Sequence, residues 1–273
     1  MELKATAWGV RERVATITLN RPHRLNAWTG RMHTEYRWLL ERAEGDPGVR
    51  VVVVTGAGRG FCAGADSQAL EGHIEKGGYD SGLRGEVPTP GYGVRPEFDA
   101  TFAYHFGLTK PVIAAINGPA AGVGLVLACF ADLRFAAGGA KLTTAHGKLG
   151  LPAEYGLAWL LPRIVGLTHA NDLLLSSRVV LAEEAAAMGL VNRVCEPGSL
   201  LDDVHGYARE LAHHVSRASM ADSKRAVYAG LHQDAATAVR ESEAALERMM
   251  REPDFREGVA ALVAKRPPAF GSD

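Results

Sequence analysis

Residues 14–19, VATITL, alternate in a β-branched pattern with period two and predict a strand. Asn20-Arg21-Pro22 ends it, because proline has no N–H to give a ladder. From 29 to 43 the period changes: Met32, Tyr36, Leu39 and Leu40 recur at helical spacing. Valines dominate 49–54, the run expected of a strand buried on both faces, and the glycine-rich turn 55–60 follows. Residues 71–95 lose all periodicity among glycines and prolines and read as a long loop, the kind that often forms a functional lid. Order returns with a strand at 111–116, a glycine turn, an apolar helix over 122–130 and a strand at 132–136. Beyond 157 the pattern is helical, with segments at 181–188, 200–217, 219–228 and 235–251. Strands first and helices last predict an α/β core with a helical C-terminal extension.

Composition narrows the class. The chain of 273 residues is 47% hydrophobic and 22% charged, enough apolar side chain for a core and too much for a disordered chain. Lys and Arg number 30 against 31 Asp and Glu, so no positive field for nucleic acid exists. Cys62, Cys129 and Cys195 are odd in number and show no C-x-x-C, which predicts a reducing, cytoplasmic setting without disulfides or a structural metal. Charges at Glu2, Lys4, Arg11, Glu12 and Arg13 interrupt any signal-peptide core, and no stretch is long and apolar enough to span a membrane.

The chemistry-bearing candidates are two glycine turns, each leading from a strand toward a helix. The first is Phe61-Cys62-Ala63-Gly64-Ala65-Asp66 and the second is Asn117-Gly118-Pro119-Ala120-Ala121-Gly122-Val123-Gly124. Neither is a dinucleotide or phosphate loop: Phe61 breaks the G-x-G-x-x-G spacing and no Gly-Lys-Ser/Thr follows. G-x-S-x-G and H-E-x-x-H are also missing from the sequence. What such turns offer is free backbone N–H groups aimed at a ligand.

With Ile17-Thr18-Leu19-Asn20-Arg21-Pro22, Leu25-Asn26-Ala27 and Lys110-Pro111-Val112-Ile113-Ala114-Ala115-Ile116, these turns resemble the enoyl-CoA hydratase/isomerase (crotonase) family. The likeness runs in order along nearly the whole chain. It implies an α/β fold, a crotonase-like spiral of repeated ββα units over 1–200 carrying the acyl-CoA site. A helical C-terminal trimerisation region would occupy 201–273, making a homotrimer or a dimer of trimers. It also implies an acyl-CoA thioester substrate, with coenzyme A entering as part of the substrate and no separate cofactor, metal, nucleic acid or membrane partner.

By the same resemblance the thioester carbonyl would sit between the N–H groups of Ala65 and Val123, which would stabilise the enolate. Coenzyme A would lie along Ala63, Ala65, Asp66, Ser67 and Gln68 and against Arg24 and Leu25, with Lys265 and its neighbour Arg266 reaching phosphate. The two glutamates of the family's hydratases fall on Val126 and His146. Valine moves no proton, whereas histidine can. Glu154, in Gly150-Leu151-Pro152-Ala153-Glu154-Tyr155-Gly156, matches the acid of isomerase-type members. Leu151, Leu157, Trp159 and Leu160 are the neighbours expected to form an apolar pocket around it. Double-bond isomerisation by Glu154 is the preferred expectation. Hydration through His146 or Glu154, as in fatty-acid-type degradation, and acyl-CoA binding without turnover are the alternatives. Asp132 reads as a cap or ion-pair residue, Asp66 as ordering its turn, and His23, His33, His73 and His105 show no metal-ligand spacing.

Overall fold

The computed structural model describes residues 1–77, 98 and 100–271. Its frame is a six-stranded sheet, and the chain enters through the hairpin β1 (Thr6–Arg11) and β2 (Val14–Leu19), antiparallel partners. Their two-residue turn, Glu12 and Arg13, has positive φ at both positions (49° and 64°), the turn that matches strand twist. Parallel strands β3 (Val51–Gly56), β4 (Val112–Ile116), β6 (Leu133–Ala137) and β9 (Arg193–Cys195) then extend the sheet in the order β1-β2-β3-β4-β6-β9. A three-stranded sheet of β5 (Ala120–Ala121), β7 (Lys141–Thr143) and β8 (Val180–Leu181) lies beside it.

Alternation along the strands feeds two cores. Ala15, Ile17, Leu19, Val52, Val54, Val112, Ala114 and Ile116 face the larger one, together with helix α1 (Gly30–Gly45). Val14, Val51, Val53, Ile113, Ala115 and Phe135 face the other, covered by Leu200, Val204, Ala208 and Ala212 of α6 (Leu200–His214). Both faces of the parallel strands are thereby buried, which explains why 49–54 carries valines on both sides. Met32, Tyr36, Leu39 and Leu40 are all buried on α1, as their spacing predicts, and Thr29 caps that helix by accepting from the Met32 N–H at 3.2 Å.

The remaining helices are α2 (Ser67–Lys76), α3 (Val123–Phe130), α4 (Leu157–Ser176), α5 (Ala182–Ala187), α7 (Arg217–Ala229), α8 (Ala235–Met249) and α9 (Pro253–Ala264). Three expectations change. Helix α2 replaces the first part of the loop read at 71–95; the rest of that loop, from 78 on, lies outside the described residues. The two helices expected at 200–217 and 219–228 are present, but the boundary between them falls earlier: α6 ends at His214, and Ser216 leaves helical φ/ψ, its hydroxyl accepting from the Ser219 N–H as the N-cap of α7. Helix α9 and strand β1 were not marked by the hydrophobic pattern.

Asp132 is an ion-pair and capping residue. Its Oδ2 accepts from Lys224 Nζ at 2.7 Å and from the Val112 N–H at 2.6 Å, while Oδ1 accepts from the Tyr228 hydroxyl at 2.8 Å. This cluster ties α7 to the sheet. Among the described residues no helix is long and apolar enough to cross a membrane.

Candidate active site

The two glycine turns meet. The N–H groups of Phe61 and Cys62 both donate to the Pro119 carbonyl, at 3.2 and 3.1 Å, and the Ala121 N–H donates to the Cys62 carbonyl at 3.0 Å. Gly124 permits the approach: a Cβ there would stand 2.2 Å from the Cys62 carbonyl oxygen. Gly122, at φ 49° and ψ −123°, turns the chain into α3 in a conformation that side chains rarely adopt. Two asparagines brace the 55–60 turn that leads into the first glycine turn. Asn26 Nδ2 donates to the carbonyls of Ala57 and Gly60 at 2.9 and 2.8 Å, and Asn117 Nδ2 donates to those of Gly56 and Gly58, both at 2.9 Å.

Ala65 lies in the first turn and Val123, in the second, opens α3. Neither backbone N–H finds an acceptor among the described residues. At Val123 this is the ordinary state of a helix N-terminus, where the first N–H groups lack intrahelical partners and the dipole favours negative charge. At Ala65 it follows from the parallel bridge to Trp28, which uses the flanking groups: Trp28 N–H donates to the Gly64 carbonyl at 2.8 Å and Asp66 N–H to the Trp28 carbonyl at 3.0 Å.

A cavity of about 860 Å³ opens beside Ala65. Leu70 and Ile74 of α2 form one wall; Leu149, Leu151, Pro152, Ala153, Glu154 and Tyr155 form the other. Leu151 is where the sequence reading puts it. Leu157, Trp159 and Leu160 do not line this cavity: Leu157 and Leu160 are buried in the main core, and Trp159 lines a different cavity. The reason is local. Tyr155 and Gly156 both have positive φ (49° and 77°), so the chain turns sharply between Glu154 and α4.

Glu154 is the only carboxylate among the described lining residues. Its Oε2 lies 3.9 Å from where a Cβ on Gly122 would stand, next to Val123. Burial pushes its carboxyl above the ordinary value, against a weaker lowering by His146. Val126 is 1% exposed inside α3, where its N–H donates to the Gly122 carbonyl at 3.0 Å. His146, also buried, donates from Nε2 to the Leu174 carbonyl at 3.2 Å and is not among the described lining residues. That bond holds the imidazole against α4.

Of the residues expected to contact coenzyme A, Ala65 is the one among the described residues lining the cavity. Ala63 N–H donates to the Leu25 carbonyl at 3.0 Å, joining the Arg24-Leu25 turn to the 63–68 segment. Arg24, Ser67 and Gln68 are exposed. Asp66 is buried and pairs with Arg21 at 2.8 Å, and its Oδ1 accepts from the Gln68 N–H at 3.1 Å. Burial would raise its carboxyl, but Arg21 and that amide outweigh burial and hold it below the ordinary range. Lys265 caps α9 at φ 52°, and Arg266 is engaged by Glu257 at 2.6 Å. Neither is among the described residues lining the cavity.

Sequence reasoning missed Leu70 and Ile74, because Gly72 and Gly77 hide the helix that carries them, and Arg21, whose partner is 45 positions away. It also missed a buried aromatic cluster behind the site. Tyr36 Oη and His105 Nε2 lie 2.7 Å apart, and Phe102 stacks on His33 with centroids 5.3 Å apart and packs edge-on to Tyr155 at 5.2 Å. Burial lowers both His33 and His105 to about 3, so both imidazoles are neutral.

The architecture is that of the crotonase fold. A putative enoyl-CoA hydratase structure from Streptomyces coelicolor A3(2) superimposes with a TM-score of 0.85 at 32% identity, covering 100% of this chain and 96% of that one. The family model described as enoyl-CoA hydratase/isomerase matches residues 9–273, and the chain belongs to that enzyme family. The 1,2-epoxyphenylacetyl-CoA isomerase of Escherichia coli (strain K12) is 36% identical over 266 residues, 96% of each chain. A probable enoyl-CoA hydratase, EchA12, of Mycobacterium tuberculosis (strain ATCC 25618 / H37Rv) is 37% identical over 270 residues, 96% of this chain and 91% of that one.

Proposed function

We propose that the protein isomerises the double bond of an enoyl-CoA thioester, with Glu154 as the only proton carrier. The observation that carries this reading is the pairing of one partly buried carboxylate, raised by burial above its ordinary value, with the backbone N–H groups of Ala65 and Val123, which find no acceptor among the described residues. A 3-enoyl-CoA binds with its thioester carbonyl oxygen between these N–H groups. The Glu154 carboxylate removes a proton from the carbon beside the thioester, and the resulting dienolate carries its charge on the oxygen held by the two amides. The protonated Glu154 returns the same proton two carbons further along, which yields the conjugated 2-enoyl-CoA. One carboxylate completes the cycle, and no water is consumed.

The 63–68 segment, joined to Arg24 and Leu25 through the Ala63 N–H, holds the coenzyme A portion, and Lys265 reaches phosphate across a subunit boundary. Exposed Leu246, Val259, Leu262 and Val263 on α8 and α9 support assembly into a trimer or a dimer of trimers. Hydration is the second reading, favoured by the names of several relatives. Against it stand a valine at 126 and an imidazole at 146 committed to a backbone carbonyl.

The test is to incubate 3-enoyl- and 2-enoyl-CoA esters with the enzyme and analyse products by mass. Isomerisation leaves mass unchanged and creates the conjugated thioester absorbance; hydration adds one water. Glu154→Gln should lower the isomerisation rate by about 10²- to 10⁴-fold, the contribution of a positioned base. A gain of water by 2-enoyl-CoA with no conversion of the 3-enoyl ester would replace this reading by hydration.

A further inference from the structure

Tyr155 belongs to the walls of two cavities: the one that Glu154 lines, and a second of about 410 Å³. Aromatic residues make up only 7% of the chain, yet half of the ten described lining residues of the second cavity are Phe, Tyr or Trp, and His232 adds a sixth ring. The rings are Phe98, Phe106, Phe130, Tyr155, Trp159 and His232.

Their mutual geometry is that of a preset slot. Phe98 meets Phe106 edge-to-face (6.1 Å, 84°), and Trp159 stacks on His232 (5.7 Å, 14°). Arg163 sits 4.2 Å over the Trp159 ring and steadies it, while Phe102, itself packed against Trp28 and His33, fixes Tyr155 from behind. Tyr155 also sits at φ 49°, so its direction is set by the sharp turn after Glu154.

We infer that the acyl group of the substrate ends in an aromatic ring that seats in this second cavity, with Tyr155 and Trp159 as specificity-determining residues. The inference rests on the acyl-CoA reading above. An alkyl chain and an aryl ring both gain from leaving water, but only the ring adds edge-to-face and stacked contacts with walls already oriented for them. Tyr155 lines both cavities, so this slot is adjacent to the one that holds the carboxylate, and the proposed route takes a short acyl spacer past Tyr155 from the reacting carbons to the ring.

The experiment compares binding of two saturated esters of similar reach, 4-phenylbutanoyl-CoA and octanoyl-CoA, by calorimetry on the wild type, Trp159→Leu and His232→Leu. Saturated esters separate binding from turnover, and His232 is exposed, so its substitution leaves the fold intact if Trp159→Leu does not. The wild type should bind the aryl ester about three- to tenfold more tightly, and each variant should erase that preference while octanoyl-CoA stays within about twofold. Equal affinity for both esters in the wild type, or equal losses for both in the variants, overturns the inference and leaves the acyl-CoA reading standing. Failure of both esters to bind overturns both.

Discussion

Replacing Gly124 with alanine tests whether the approach of the two glycine turns matters to function. The added Cβ would stand 2.2 Å from the Cys62 carbonyl oxygen and 2.8 Å from Cys62 Cβ, where ordinary contact begins at 3.4 Å. The start of α3 must therefore withdraw from the 61–65 turn by about 1 Å, the shortfall from ordinary packing. Such overpacking of a buried site costs about 1–3 kcal/mol, read as a fall in melting temperature of roughly 2–4 °C per kcal/mol. Because Ala65 and Val123 ride on the two turns, their N–H groups separate by a similar distance. A misplacement of that size costs roughly a hundredfold in kcat/KM. The control is Gly206→Ala in α6, where a Cβ meets nothing within 4 Å. It should stabilise the protein by about 0.5–1 kcal/mol through helix propensity, with kcat/KM unchanged. The reasoning is refuted if Gly124→Ala retains wild-type kcat/KM and melting temperature.

Two other expectations follow from buried charge. Lys224→Met strips Asp132 of its cation inside the cluster that joins α7 to the sheet; Asp132 is partly exposed and keeps the Val112 N–H and Tyr228 hydroxyl as donors, so the loss should be about 1.5–3 kcal/mol in denaturant unfolding, that of a hydrogen bond to a charged group; a loss indistinguishable from zero would show that this bridge does not tie α7 to the sheet. For pH, the base must be ionised, so kcat/KM should fall as pH drops through the Glu154 pKa, with the midpoint of that acid limb above the ordinary carboxylate value of 4.5. The same raised pKa means that Glu154 favours folding when protonated and that this contribution fades as pH rises, so Glu154→Gln should not destabilise the protein at neutral pH. A limb at or below 4.5 would contradict the burial of this group.

The strands and α1 were legible because their period is local: a two-residue alternation feeds two cores, and a helical spacing buries Met32, Tyr36, Leu39 and Leu40 together. The glycine turns stood out as candidates because such turns offer backbone N–H groups, while the choice of Ala65 and Val123 within them came from the family resemblance. The cavity lining was only partly legible. Neighbours of Glu154 in sequence suggested Leu157, Trp159 and Leu160, but two successive positive-φ residues redirect the chain, and the opposite wall comes from Leu70 and Ile74, some 80 positions earlier. The break between the helices of 200–217 and 219–228 was legible, and its place had one available signal, Ser216, a serine of N-cap type. His33 and His105 carried no signal at all: their neighbours Trp28, Tyr36 and Phe102 come together only when α1 meets the segment after 100.

The central claim is that Glu154 alone moves the proton beside the thioester. Deuterium exchange at that carbon, followed by NMR in deuterated water with short, long and aryl acyl-CoA esters, tests it directly on the wild type, Glu154→Gln and His146→Ala. Wash-in should survive His146→Ala and be lost in Glu154→Gln, at undiminished ester affinity. Wash-in that persists in Glu154→Gln and disappears in His146→Ala would contradict it and move the base to the histidine.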